Sequence, residues 1–225
     1  MAKAVLFDVD GTLIDTNDLH AAAWVEAFKH FGFEVPLEKV RGQIGKGGDN
    51  LVPSLIPPEK LDGKQEEMED YRSELYQHSY LPRAVPFPGV RALFERLTED
   101  GVKIVLASSA KAREVDFNLG ILGAADLVQA TTSADDVENS KPDPDIFQSA
   151  LQKVSPLGAG DVVVVGDTPW DVQAACKAGL KTIAVRSGGF PDQELLEAGV
   201  AELYDGPLDL LRNYERSLLA NGKQA

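Results

Sequence analysis

An apolar run near the start of the sequence ends directly in two closely spaced carboxylates. Residues 4–7 read Ala-Val-Leu-Phe, the composition of a short strand that is buried on both faces. Asp8 and Asp10 follow where such a strand would end, and Gly11 then frees the backbone to turn. Because open parallel sheets bind ligands at the carboxyl ends of their strands, this position suits a reactive site.

The second half of the sequence alternates between strand and helix patterns. Strands are predicted at 102–107, 127–130, 162–166 and 182–185, and helices at 90–100, 113–119, 145–153, 171–178 and 208–220, the last as a surface helix. Such alternation predicts right-handed crossovers and a parallel sheet with helices on both faces. We therefore predict an α/β fold with a Rossmann-like, doubly wound parallel sheet.

Residues 16–83 carry helical patterns and no convincing strand. The predicted helices are 18–31, 36–44, 49–56 and a long polar helix at about 59–80, in which Gly63 is a weak point. Three prolines between residues 82 and 88 mark the return to the α/β pattern. We predict two domains: a core formed by residues 1–15 and 84–225, and a helical domain inserted at residues 16–83.

The composition excludes several classes of partner. With 22 basic and 36 acidic residues the formal net charge is −14, whereas a nucleic-acid groove or an anionic membrane surface requires a basic face. Cys176 is the only cysteine, so no disulfide can form within this sequence. No signal peptide or membrane-spanning segment is visible. We expect a cytoplasmic protein, and both a monomer and a homodimer remain open.

The two carboxylates after the first strand suit phosphoryl chemistry with a hard dication. One can bind Mg²⁺ and attack phosphorus, while the other acts as general acid and base. Taken alone, Asp-x-Asp followed by glycine favours a simple polar turn. The complete string from Asp8 to Leu13, Asp-Val-Asp-Gly-Thr-Leu, resembles the first motif of the haloacid dehalogenase superfamily of phosphotransferases.

Two later segments resemble the second and third motifs of that superfamily. Ser108 and Ser109 follow the predicted strand at 102–107, where a hydroxyl and the next backbone N–H groups can bind a phosphoryl oxygen. Alone, Ser108 would be interpreted as a helix N-cap. Lys141 begins the string Lys-Pro-Asp-Pro-Asp-Ile-Phe, which is similar to the third motif; outside that context it would be a solvated surface charge.

The fourth resemblance follows the most apolar predicted strand. Asp167 and Asp171 lie in the string Gly-Asp-Thr-Pro-Trp-Asp, which resembles the fourth motif of the superfamily in its common form. Thr168 is predicted to cap the next helix, and Asp171 has the spacing of a capping-box acid. Asp171 is therefore either a cap residue or a support for the site. All four motifs occur in the family order.

The resemblance implies a Mg²⁺-dependent phosphatase that acts on a small phosphorylated metabolite. Asp8 would be the nucleophile and Asp10 the general acid and base, with Mg²⁺ held by Asp8, the Asp10 carbonyl and Asp167. A carboxylate at both positions 8 and 10 disfavours the dehalogenase branch, which does not keep the second one. The remaining implied roles are phosphoryl binding by Thr12, Ser108, Ser109 and the catalytic Lys141, and support by Gly11 and Asp171.

The inserted helical domain resembles the cap that closes over the active site in this family. Its loop at residues 45–48 has three glycines in four positions, so it can approach a ligand closely. We expect Arg41 and Lys46 to contact the leaving group of the substrate; the alternative is that both are surface cations. His20, His30 and His78 lack metal-ligand spacing, and no catalytic role is assigned to them.

Three other functions are weighed against the phosphatase. A sugar phosphomutase of the β-phosphoglucomutase type uses the same four motifs and differs in returning the phosphoryl group to a sugar. A signalling receiver domain also phosphorylates an aspartate near Mg²⁺ and a lysine, but it needs no helical insert. A binding protein without catalysis is disfavoured because all four motifs are intact. The sequence leaves the choice between phosphatase and phosphomutase open.

Overall fold

The computed structural model describes residues 2–220, so residue 1 and residues 221–225 of the predicted core lie outside the described residues. The β-strands of the described chain, numbered in chain order, are β1 (Ala4–Phe7), β2 (Ile14–Asp15), β3 (Val85–Pro86), β4 (Lys103–Ala107), β5 (Ala130–Thr132), β6 (Val162–Gly166), β7 (Lys181–Val185) and β8 (Glu202–Tyr204). The α-helices are α1 (Asn17–His30), α2 (Leu37–Arg41), α3 (Gly48–Leu55), α4 (Pro58–Leu61), α5 (Gln65–Leu75), α6 (Val90–Glu99), α7 (Ala112–Leu122), α8 (Asp145–Gln152), α9 (Pro169–Lys177), α10 (Asp192–Ala198) and α11 (Pro207–Arg212).

The strand β1 lies at the centre of a parallel six-stranded sheet. The strand order is β5-β4-β1-β6-β7-β8, and every neighbouring pair is parallel. Phe7, the last residue of β1, is in register with Leu106 of β4 and Val165 of β6. The segments that follow these three strands therefore leave the sheet side by side, at the edge where open α/β sheets bind ligands.

Successive residues of the central strands pack into cores on opposite faces of the sheet. In β1, Val5 and Phe7 join a cluster with α6 and α11, whereas Ala4 and Leu6 join a cluster with α8 and α9. All four side chains are fully buried, which explains why β1 carries no polar residue. The predicted doubly wound α/β fold is confirmed.

Helices α1 to α5 lie within residues 16–83, which we call the helical segment. They share their own hydrophobic cluster, in which Trp24 and Phe28 of α1 pack with Leu51 of α3 and Met68 of α5. The short strands β2 and β3 pair antiparallel on either side of this segment, with Asp15 opposite Val85. The chain therefore enters and leaves the helical segment through two strands that pair with each other. The domain boundary at these positions remains a prediction.

Several local predictions are wrong. The long helix at 59–80 is broken, because Asp62 and Gly63 adopt positive φ angles of 50° and 73° after α4. Its last turn, Tyr76–Tyr80, is a π-helix. The strand expected at 127–130 is β5, displaced to Ala130–Thr132. The expected surface helix at 208–220 ends at Arg212, and its Leu210 is buried in the core; α10 and β8 were not predicted.

No helix within residues 2–220 combines the length and the apolar character that crossing a membrane requires. This agrees with the hydropathy of the sequence, in which apolar runs are short.

Substitution of Gly89 tests how closely the start of α6 packs against α11. Gly89 precedes α6 with φ +88°, and a Cβ atom there would lie 2.8 Å from Leu208 Cα. We expect Gly89→Ala to lower the free energy of unfolding by about 2–4 kcal/mol, from backbone strain and overpacking together. Gly101→Ala is the matched control, because Gly101 has φ +73° with nothing within 4 Å of the added atom. Urea denaturation that gave equal losses for both variants would contradict the packing argument.

Candidate active site

Asp8 leaves the sheet at the end of β1 and enters a largely buried environment. Its backbone N–H continues the ladder to the Val165 carbonyl at 2.8 Å, and the residue is only 6% exposed. Its Oδ1 accepts a hydrogen bond from Lys141 Nζ at 2.5 Å. Burial raises the pKa of Asp8 to about 7, against the lowering effect of the Lys141 charge. The carboxylate therefore depends on nearby cations to stay ionised.

Lys141 is fully buried between two carboxylates. Its Nζ lies 2.5 Å from Asp8 Oδ1 and 2.7 Å from Asp171 Oδ1. Burial alone would lower the pKa of Lys141, but the charges of Asp171 and Asp8 raise it, so the ammonium stays charged. The interpretation as a surface charge is wrong. The lysine is instead the cation that joins the first and fourth sequence motifs.

Asp167 follows β6 and is completely buried beside Asp8. Its Oδ1 accepts a hydrogen bond from Thr12 Oγ1 at 2.8 Å, and its Oδ2 accepts one from Asn17 Nδ2 at 2.8 Å. Burial raises the pKa of Asp167 well above its usual range, and the charges of Asp8 and Asp171 add to this effect. The Thr12 hydroxyl is thus engaged with a carboxylate, whereas Asn17 was not predicted from the sequence.

Asp171 combines the two roles that the sequence left open. Thr168 donates to Asp171 Oδ2 from its backbone N at 3.0 Å and from Oγ1 at 2.7 Å, which completes the predicted capping box of α9. The other oxygen of Asp171 is the one that faces Lys141. The helix cap therefore also fixes the second carboxylate that holds the buried ammonium.

Gly11 is required by close packing around Asp167. Its φ is +81°, and a Cβ atom at this position would lie 2.3 Å from both Asp167 Oδ2 and Asn17 Nδ2. Any side chain would displace the hydrogen bond between these two groups. The glycine thus lets the turn after β1 pass directly over the Asp167 carboxylate.

Asp10 is oriented by two donors from the helical segment. Its Oδ1 accepts hydrogen bonds from Thr16 Oγ1 at 2.7 Å and from His20 Nε2 at 3.0 Å. Burial acts to raise the pKa of Asp10, but His20 and Thr16, with a smaller contribution from Arg72, lower it. Asp10 and Asp8 therefore have opposite pKa shifts, although they are two residues apart.

His20 links Asp10 to Arg72 of α5. A guanidinium N–H of Arg72 contacts His20 Nδ1, and because arginine can only donate, Nδ1 must be the acceptor. His20 Nε2 then carries the hydrogen that is donated to Asp10. The ring of His20 also stacks on Tyr76 at 4.0 Å between centroids. The sequence assigns His20 no role because it lacks metal-ligand spacing. That spacing does not indicate whether a histidine donates a hydrogen bond to a carboxylate such as Asp10.

Two groups of side chains in the described chain lie close enough to hold a metal ion. One is Asp8, Asp167 and Asp171, and the other is Asp10, His20 and Glu114; within each, the ligand atoms are within 4.8 Å of one another. The tautomer of His20 disfavours the second group, because its Nε2 carries a hydrogen. In the first group three buried carboxylates face a single ammonium, Lys141, so a dication suits the remaining negative charge.

The two serines after β4 occupy different places. Ser108 is fully buried and its Oγ accepts a hydrogen bond from Ala110 N at 3.1 Å, which leaves its O–H free to donate. It is not a helix N-cap, because α7 begins only at Ala112. Ser109 lies on the cavity surface, and its Oγ is 3.5 Å from the Gly45 carbonyl of the helical segment.

The loop at residues 45–48 lies against the core above these groups. Gly45 has φ +100°, and a Cβ atom there would meet the Thr168 side chain at 2.7 Å. Lys46 lines the cavity, with its Nζ 4.0 Å from the centre of the Trp170 ring and 2.6 Å from Gln43 Oε1. The loop therefore contacts the core and forms part of the cavity wall, and its closure over a substrate remains a prediction.

Arg41 does not reach the cavity. Its Nε donates to Asp18 Oδ1 at 2.6 Å, and its Nη1 donates to the Gly188 carbonyl at 3.0 Å. The prediction that it contacts the substrate together with Lys46 is therefore not supported by its position. No spacing pattern in the sequence distinguishes these two cations.

A cavity of about 80 Å³ joins the core groups to the helical segment. It is lined by Asp8, Asp10, His20, Trp24, Arg72, Ser109, Ala110, Glu114 and residues 44–48. Glu114 and Arg72 had no sequence signal, since each comes from a different helix and belongs to no motif. The cavity thus brings together the carboxylates of Asp8, Asp10 and Glu114 and the cationic side chains of Lys46 and Arg72.

Comparisons with known proteins agree with this arrangement. The family model for haloacid dehalogenase-like hydrolases matches residues 5–185. The chain belongs to this family. It is therefore an enzyme of the hydrolase class, and the receiver-domain alternative is excluded. This haloacid dehalogenase-like hydrolase contains all four motifs within the matched residues.

Named relatives of this hydrolase differ in function. It is 32% identical over 216 residues to a phosphoglycolate phosphatase of Nitrosospira multiformis, covering 90% of this chain and 93% of that protein. It is 34% identical over 207 residues to the Arabidopsis thaliana protein SUPPRESSOR OF QUENCHING 1, chloroplastic, covering 90% of this chain but only 19% of that protein. A solved structure described as a putative beta-phosphoglucomutase from Bacteroides vulgatus superposes with TM-score 0.85 and 27% identity, covering 95% of this chain and 88% of that one.

The hydrogen bond from His20 to Asp10 can be tested with a matched pair of variants. We expect His20→Phe to lower kcat for p-nitrophenyl phosphate by about 10-fold or more, because the acid loses a donor that orients it. His30→Phe is the control, since His30 stacks on Tyr71 at 4.1 Å, much as His20 stacks on Tyr76. The measurement is the steady-state kcat of both variants, with circular dichroism to confirm folding. Equal kcat values for His20→Phe and His30→Phe would show that His20 does not contribute to the site.

Proposed function

We propose that this hydrolase is a Mg²⁺-dependent phosphatase that hydrolyses a small phosphomonoester through a phosphorylated Asp8. The observation that carries the proposal is that Asp8, which is paired with the buried Lys141, lines the same cavity as Asp10. A nucleophile held by a cation, next to a separately oriented acid, is the arrangement that phosphoryl transfer requires.

In the first step, an Asp8 carboxylate oxygen forms a bond to phosphorus while the bond from phosphorus to the leaving oxygen breaks. Lys141 keeps Asp8 ionised and stabilises the negative charge on the transferred group. Asp10 gives its proton to the leaving oxygen, which departs as an alcohol. The lowered pKa of Asp10 belongs to the free protein. A bound phosphoryl anion beside Asp10 raises that pKa and favours the protonated acid.

In the second step, water attacks phosphorus and Asp8 is the leaving group. Asp10, now ionised, removes the proton from the water, which regenerates the acid for the next cycle. Its Oδ1 is occupied by His20 and Thr16, so Oδ2 is the oxygen that exchanges the proton. The products are an alcohol and inorganic phosphate.

Mg²⁺ fits the excess negative charge beside Asp8. Asp8 and Asp167, with the Asp10 backbone carbonyl, would hold the ion, while Asp171 remains bonded to Thr168 and Lys141. When bound, the ion supplies positive charge that allows an anionic carboxylate and an anionic phosphoryl group to approach.

The remaining polar groups suit the phosphoryl and leaving groups. Ser108, whose O–H is free, and Ser109 lie where β4 ends, next to Asp8 in the sheet order. Both can donate to phosphoryl oxygens. Lys46 belongs to the loop at residues 45–48 and lines the cavity, where it could contact the leaving group. Thr12 contributes by fixing Asp167.

Replacement of the nucleophile tests the proposed reaction. We expect Asp8→Asn to lower phosphate release by at least about 1,000-fold, because an amide neither attacks phosphorus nor binds Mg²⁺ well. The control Asp15→Asn removes an exposed carboxylate at the end of β2 and keeps full activity. Release of inorganic phosphate from a panel of phosphomonoesters with Mg²⁺ is the measurement.

The product distinguishes the phosphatase from a phosphomutase, which the similarity to a putative beta-phosphoglucomutase makes the second candidate. With β-glucose 1-phosphate and a trace of the 1,6-bisphosphate, a phosphatase releases inorganic phosphate. Accumulation of glucose 6-phosphate with little release would establish the mutase instead. Retention of full phosphatase activity by Asp8→Asn would exclude both mechanisms.

The metal site can be tested without turnover. At a Mg²⁺ concentration 100 times its Kd, the ion stabilises the protein by about 2.7 kcal/mol, which raises Tm by about 5–10 °C for a chain of this size. We expect Asp167→Asn to abolish this increase, with only a small change in the metal-free Tm, because the substitution removes a charge that burial disfavours.

The control for this experiment is Asp143→Asn. Asp143 is an exposed carboxylate that pairs with Lys177 at 3.0 Å, outside the cavity, so this variant should keep the full Mg²⁺-induced increase in Tm. A wild-type protein whose Tm did not respond to Mg²⁺ would argue against the metal, whatever the variants did.

A further inference from the structure

Glu114 is a buried carboxylate that the proposed reaction does not use. It lies in the first turn of α7 and is only 2% exposed, yet it lines the same cavity as Asp8 and Asp10. An acid in the first turn of a helix interacts favourably with the helix dipole. That effect operates equally well at an exposed position, so it does not explain why this side chain is buried.

One oxygen of the Glu114 carboxylate lacks a hydrogen-bond donor within the described part of the chain. Its Oε1 is buried and has no hydrogen-bond partner within the described residues. The nearest ring nitrogen, His20 Nε2, is 3.8 Å away and already donates to Asp10. Leaving a buried polar atom unpaired is costly, so such an atom indicates a partner from outside the protein.

Arg72 carries the complementary unsatisfied group. It lines the same cavity, and its Nε is buried without an acceptor among residues 2–220. The guanidinium is held in place by the aromatic rings of Tyr76 and Trp24, at 4.8 and 5.3 Å from their centres. Two residues that line the cavity thus each carry an unpaired group, an acceptor on Glu114 of α7 and a donor on Arg72 of α5.

The two groups together select the chemistry of a ligand. A carboxylate or second phosphate would satisfy Arg72 but would be repelled by Glu114. An ammonium group would satisfy Glu114 but would be repelled by Arg72 and Lys46. A hydroxyl group can donate to Glu114 and accept from Arg72, so it satisfies both without an uncompensated charge.

We propose that Glu114 and Arg72 form a subsite for a hydroxyl group on the leaving group, so that the substrate is a phosphorylated polyol or sugar. A phosphorylated carboxylic acid is disfavoured, although one relative is named a phosphoglycolate phosphatase. This inference rests on the proposed phosphatase activity for its reaction, but the hydroxyl subsite itself is a statement about binding.

The test uses three small phosphomonoesters that differ at the group facing the subsite. Glycerol 3-phosphate offers hydroxyls, phosphoglycolate offers a carboxylate, and propyl phosphate offers neither. We expect the wild-type protein to favour glycerol 3-phosphate over both others by about 10-fold or more in kcat/KM, the scale of hydrogen bonds to charged groups. In Glu114→Gln the ratio of glycerol 3-phosphate to phosphoglycolate should fall by about 10-fold.

Glu69→Gln is the matched control, because Glu69 lies against Gly48 of the same loop but outside this cavity, and its ratios should stay at the wild-type values. The subsite is overturned if the wild-type protein prefers phosphoglycolate, or if Glu114→Gln slows all three esters equally, as a structural role or a trapped water would require. Calorimetric binding of the esters to Asp8→Asn gives the same comparison without turnover. Failure of the phosphatase proposal would appear as absent phosphate release, while the binding ratios would still decide the hydroxyl subsite.

Discussion

The active site depends on one buried ammonium group. Lys141 contacts carboxylates that follow two different strands, Asp8 after β1 and Asp171 after β6. Its Nζ atom therefore connects the loop that carries Lys141 to the segments after both strands. Burying an ion costs several kcal/mol unless a partner of opposite charge is close. Asp167 is also buried there, so one cation lies among three carboxylates and cannot balance their charge when all three are ionised.

The electrostatics of this site depend on backbone packing around Asp167 as much as on the number of charged groups. A Cβ atom on Gly188 would lie 1.8 Å from Asp167 Oδ2, and one on Gly11 would lie 2.3 Å from the same atom. Two glycine turns therefore enclose the carboxylate and exclude water from it. This exclusion raises the pKa of Asp167 and makes the site suited to a dication. The lack of a side chain at Gly11 and Gly188 therefore affects the pKa of Asp167.

The sequence predicted the strands and the motif residues that follow them. It did not predict which residues of different helices pack together at the site. The apolar runs of β1 and β6 predicted the central strands, and the carboxylates after them predicted the site, because parallel strands end at one edge. His20, Arg72 and Glu114 come from three helices, and no local pattern indicates that they meet. His20 did carry a weak signal: like Asn17, it is a polar residue on an α1 face whose neighbours, such as Ala21 and Trp24, are buried. Helix 59–80 failed at Gly63, where the sequence already marked a weak point.

The helical segment is hydrogen-bonded to backbone of the core near Lys141 and Asp167. Asn50 of α3 donates to the carbonyls of Ser140 and Lys141 at 3.0 and 3.3 Å, which are the carbonyls on either side of the Lys141 Cα atom. Arg41 donates to the carbonyl of Gly188, which encloses Asp167. Any displacement of the helical segment therefore breaks hydrogen bonds to the two loops that set the position of Lys141 and the burial of Asp167. Arg41, which the sequence suggested as a substrate contact, instead contacts this backbone, and its guanidinium already forms an ion pair with Asp18.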